Sequence, residues 1–76
     1  MSRWLPCRRT VFIRRLGKLG FDGPYSGARH QFMIYEQYRM TVPSSGEYSV
    51  GQLRMLLHEV EEMIGRSIST DQWNRL

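Results

Sequence analysis

Residues Tyr38-Arg39-Met40-Thr41-Val42 alternate apolar and polar side chains and stop at Pro43. This short run constrains the fold more than any other part of the chain. Alternation with a period of two marks a strand with one buried face. Proline has no N–H for the ladder, so the strand ends there. Residues 29–35 just before it also read as a strand, leaving only Glu36-Gln37 for a tight turn. Two strands this close must pair antiparallel. With 76 residues in total, the chain is expected to form one domain over residues 1–76. A domain of that size buries only about 60% of its unfolded surface, so its core must be small and dense.

Helical periodicity flanks this hairpin on both sides. Phe12, Ile13, Leu16 and Leu19 recur at helical spacing in a first helix expected to start near Pro6 and to end at Gly20. Leu53, Leu56, Leu57, Val60 and Ile64 form a stronger stripe, opened by the capping-box pair Ser49 and Gln52 and closed by Gly65. A second such pair, Ser69 and Gln72, predicts a short last helix carrying Trp73 into the core. The turn formers Asp22-Gly23-Pro24-Tyr25-Ser26-Gly27 leave room for at most a short strand near Tyr25. The pattern predicts an α+β fold: a small antiparallel sheet with helices packed on one face. The other sheet face, with Arg39 and Thr41, stays open to a partner. Nothing in the pattern determines whether residues 1–6 are ordered.

Charge is unevenly shared. Residues 1–30 hold seven Lys and Arg against Asp22 alone, a net +6, and residues 31–76 hold four against six acids, a net −2. A basic half fits either a polyanion such as a phosphate chain or a solvated arginine face without a partner. Cys7 is the only cysteine, which excludes an internal disulfide and a cysteine-rich zinc site. It fits a reducing compartment, with the cytoplasm as the expected location. The N-terminal run lacks a signal-peptide core, and no stretch has the length of a membrane span. Phosphate-binding loops, nucleophile elbows and dinucleotide fingerprints are missing. His30 and His58 lack metal-ligand spacing, so neither a metal nor a cofactor is expected.

The turn Ser26-Gly27-Ala28-Arg29-His30 is where a cation and a titratable ring follow a glycine. Imidazole titrates near neutrality and serves as base or acid. Arg29, or Arg39 across the hairpin, would stabilise charge on a phosphorane, and Gly27 would let a backbone approach closely. The competing reading puts His30 on the buried strand face, in phase with Phe32 and Ile34. Arg8, Arg14, Arg15 and Lys18 fall mostly on the outer side of the first helix and would grip phosphates. Tyr25, Tyr35, Tyr48 and Trp4 would stack on unpaired bases or pack locally. His58 and the carboxylates Glu59, Glu61 and Glu62 read as solvated surface.

Arg15-Leu16-Gly17-Lys18-Leu19-Gly20-Phe21, then Gly27-Ala28-Arg29-His30, then Arg39-Met40-Thr41-Val42-Pro43 resemble segments of the HicA toxins of bacterial toxin–antitoxin systems, in the same order. Leu53-Arg54 and the run from Ile68 to Trp73 match the family's later segments, so the likeness covers residues 10 to 76. Ala28 stands where the family has serine, the hairpin tip lacks Pro-Asp-Gly, and the second helix is acidic where relatives are often basic. The resemblance implies a double-stranded-RNA-binding-like α-β-β-β-α fold and a metal-independent, mRNA-cleaving endoribonuclease with His30 as its catalyst. It also implies a HicB-like antitoxin as protein partner. RNA is then expected against Arg14, Arg15, Lys18, Gly27, Arg29 and Arg39.

Overall fold

A computed structural model describes residues 2–76; Met1, the first of the six N-terminal residues left open above, lies outside the described residues. The chain runs β1 (Cys7–Arg8), α1 (Arg9–Lys18), β2 (Asp22–Tyr25), β3 (Gln31–Tyr35), β4 (Tyr38–Val42), β5 (Glu47–Tyr48), α2 (Val50–Ile64) and α3 (Thr70–Arg75). Strands β2, β3 and β4 form an antiparallel sheet in that order, and β1 pairs antiparallel with β5 in a separate two-stranded ribbon. The helices pack on one side of the sheet, the expected α+β arrangement; α1, β2, β3, β4 and α2 follow the α-β-β-β-α order, to which the β1–β5 ribbon and α3 are added.

Helix α1 begins at Arg9, three residues later than Pro6 implies, because Cys7 and Arg8 are taken up by the ribbon with Tyr48 and Glu47. No side chain caps its N-terminus. Instead the Arg9 N–H donates to the Gly46 carbonyl at 2.9 Å. Its far end is a Schellman closure: Gly20 sits at φ 107, Gly20 N–H donates to Gly17, and Phe21 N–H donates to Leu16. That turn drops Phe21 into the core beside Leu16.

Helix α2 is held at both ends. Ser49 Oγ accepts from Gln52 N–H at 3.2 Å, and Gly65 takes a left-handed φ of 77. Only Ser69 and Gln72 complete both bonds of a capping box. Between these helices Glu61 Oε2 accepts the Ile68 N–H at 2.6 Å, which fastens the connecting loop and delivers Ile68 into the core. Glu61 is therefore not simply solvated. Phe12, Leu16, Met33, Met40, Val42, Tyr48, Leu53, Val60 and Trp73 make the buried centre. Phe12 meets Tyr48 edge-on at 5.3 Å and lies 5.8 Å from Trp73. Residues 2–6 lie against the body of the fold. Trp4 is half-buried with Arg54 over its ring, and Asn74 Nδ2 donates to the Arg3 carbonyl. Among the described residues no helix is long and apolar enough to cross a membrane.

Two buried acids make stability depend on pH. Burial pushes the Cys7 thiol above its ordinary 9.0, although Arg15 and Arg14 oppose it. Burial likewise raises the Tyr48 phenol above 10.0, against Arg9. In both cases folding favours the neutral form. The resulting stability is complete below those ordinary values and is lost as pH climbs past them. The urea midpoint should hold steady to about pH 8 and fall by about pH 10.5, with Cys7→Ala delaying the onset. A midpoint flat across that range would contradict this burial effect.

Candidate nucleic-acid interface

The hairpin register decides which side chains share the open face. Met33 stands opposite Met40, and both are 1% exposed against the helices. Phe32 opposite Thr41, and Ile34 opposite Arg39, therefore point the other way. This reverses the phase expected for β3: Phe32 and Ile34 line the open face, and Met33 is the core residue. On β2, Tyr25 stands opposite Phe32 and Asp22 opposite Ile34, with a bulge between them.

These pairings assemble a small stack. The Arg39 guanidinium carbon lies 3.5 Å from the Phe32 ring centroid, and the Tyr25 ring lies 5.7 Å from that ring at 36°. Arg39 leans diagonally toward Phe32 and makes no ion pair with Asp22 in its own row. Among the described residues no Lys or Arg is ion-paired to a carboxylate; the one basic side chain within reach of a carboxylate is His58, whose Nδ1 lies 3.3 Å from Glu61 Oε1. Cation–π contact spends one face of the guanidinium and leaves its N–H edges for an anion.

The glycine turn lies over this stack. A Cβ on Gly27 would collide with the His30 carbonyl, and would sit 3.4 Å from the Phe32 ring and 3.6 Å from Arg39 Nη2. Only glycine lets the turn close this tightly. His30 is exposed in the bend over residues 28–30, just ahead of β3, and not within a strand. Among the described residues no side chain hydrogen-bonds to its ring. Arg29 and Ala28 beside it are exposed too.

The expected site residues thus divide into two groups. Gly27, Arg29, His30 and Arg39 converge at one end of the open face. Arg14 and Lys18 are exposed on α1, across the thickness of the sheet from that face. Arg15 is further withdrawn. It is half-buried with its guanidinium 5.2 Å from the Trp73 ring centroid, and its buried Nε has no hydrogen-bond partner. No single basic face runs from the first helix to His30.

Arg9 escaped the sequence reading. Its Nε donates to the Pro43 carbonyl at 3.0 Å and its Nη2 to Gln31 Oε1 at 2.5 Å, while the Tyr48 hydroxyl donates to the same carbonyl at 2.6 Å. This clamp ties the end of β4 to the residue that follows His30. Its partners lie 22 and 34 residues away in sequence, so no local pattern signals it. Of the four aromatics proposed for stacking, Tyr48 is core, Tyr35 packs on Phe21, and Trp4 lies under Arg54. Tyr25 alone among them keeps about half its surface exposed, at 48%. Among the described residues no group of His, Cys, Asp or Glu is arranged to hold a metal ion. Comparison with protein-family models, curated proteins and solved structures finds no match to this chain.

Proposed function

We propose that this chain is a HicA-type endoribonuclease that binds mRNA in the cytoplasm and cuts it without a metal. What carries the reading is one juxtaposition: an exposed histidine at a glycine turn packed on an arginine that no carboxylate neutralises. The ordered segments shared with the HicA toxins support it as well. RNA lies on the open sheet face. Arg39 and Arg29 hold the scissile phosphate, and the 2′-hydroxyl attacks phosphorus as the bond to the 5′-oxygen breaks. Neutral His30 takes the 2′-hydroxyl proton, and the resulting imidazolium returns it to the departing 5′-oxygen. The products are a 2′,3′-cyclic phosphate and a 5′-hydroxyl, with no net proton consumed. A HicB-like antitoxin silences the enzyme by covering this face.

A non-catalytic RNA-binding module is the second reading, favoured by the His30 ring having no orienting partner among the described residues. Incubation with end-labelled single-stranded RNA in EDTA separates the two. Cyclic-phosphate products, diminishing as salt rises, are the expected result. A gel shift of intact RNA would select the module, and no shift at low salt would remove both.

A further inference from the structure

We infer that Tyr25 and Phe32 form a stacking platform for an unpaired base next to the bound phosphate, so that the interface takes single-stranded and not duplex RNA. The inference rests on the RNA reading above and narrows its substrate class. Phe32 is covered from one side by Arg39 and approached by the Gly27 turn, whereas the Tyr25 ring is the uncovered outer end of the row Tyr25–Phe32–Thr41. A half-exposed tyrosine outside the core contributes little to folding and offers a π-face to a ligand. Unpaired bases can present a face to it. Bases inside an A-form duplex are stacked on their neighbours and present only edges and phosphates.

Charge selects the occupant as well. Among the described residues Arg39 leans toward this row and has no carboxylate partner, while Asp22 lies in the neighbouring row, at the other end of the strand that carries Tyr25. A strand with its phosphate at Arg39 and its base over Tyr25 crosses the face diagonally over Phe32, with the Asp22 carboxylate to one side of that path. Acidic peptides would satisfy the arginine but have no flat ring to lay on the tyrosine.

The test uses a 2′-O-methyl RNA, which cannot be cut through its 2′-oxygen, carrying one 2-aminopurine, alone or annealed to its complement. Wild-type protein should quench the single-strand fluorescence on binding and bind the duplex more weakly. Tyr25→Phe should keep the quench. Tyr25→Ala should lose it and weaken single-strand binding by about 5–150-fold, with an unchanged circular dichroism spectrum. If Tyr25→Ala quenches and binds like wild type, or the duplex binds as well as the single strand, the platform is overturned while the RNA reading stands. If wild-type protein binds neither probe at low salt, the RNA reading fails and takes the platform with it.

Discussion

Replacing His30 with alanine is expected to slow RNA cleavage by about 10²–10⁴-fold, the contribution of one positioned acid or base. Melting should be untouched, because the side chain is exposed and surface substitutions usually change stability by no more than about 0.5 kcal/mol. A loss of rate at constant stability would locate the effect in the chemistry. Residual cutting should remain, since Arg39 would still stabilise the developing charge from its seat on Phe32. His30→Ala cutting as fast as wild type would end the catalytic assignment. It would leave an endoribonuclease whose acid or base is another residue.

On stability, the largest single effect is expected at Trp73. This side chain is 1% exposed and closes the core against Phe12, yet it arrives on a six-residue helix too short to hold itself. Trp73→Ala should cost about 3–5 kcal/mol through lost burial and the cavity left behind. A domain of this length has only about 4–11 kcal/mol in total, from typical per-residue values. The variant should therefore lose between about a quarter and all of its stability, and Arg15 would lose the ring it rests on. Trp73→Phe should be milder, since the indole N–H has no partner to lose. Urea denaturation checks both, and an alanine variant within about 1 kcal/mol of wild type would contradict the role of core plug.

How much was legible in the sequence depended on how local each signal was. Helix α2 announced itself through Ser49, the leucine stripe and Gly65, all within one segment, and β4 through its alternation and Pro43. Strands β1 and β5 have two residues each, too few to show a period, and they join positions about forty residues apart. The apolar run from Phe32 to Tyr35 has no alternation, so only its register against β4 shows which side chains face the helices. That ambiguity produced the wrong phase for Phe32 and Ile34. Likewise Arg15 read as an outward cation because its cover, Trp73, comes from the far end of the chain. The position of Arg39 on the open face and of Gly27 in the turn beside it was legible because turn and hairpin are neighbours in sequence.

The pairing of Met33 with Met40 gives β3 and β4 a parity rule. Met33 of β3 and Met40 and Val42 of β4 belong to the core, and the interleaved Phe32, Ile34, Arg39 and Thr41 belong to the face proposed to meet RNA. Scaffold and interface are thus written on alternate letters of one twelve-residue passage, residues 31–42. Selection can revise the interface letter by letter while leaving the scaffold's letters in place. A relative with the same core and a different target would then differ mainly at every second position.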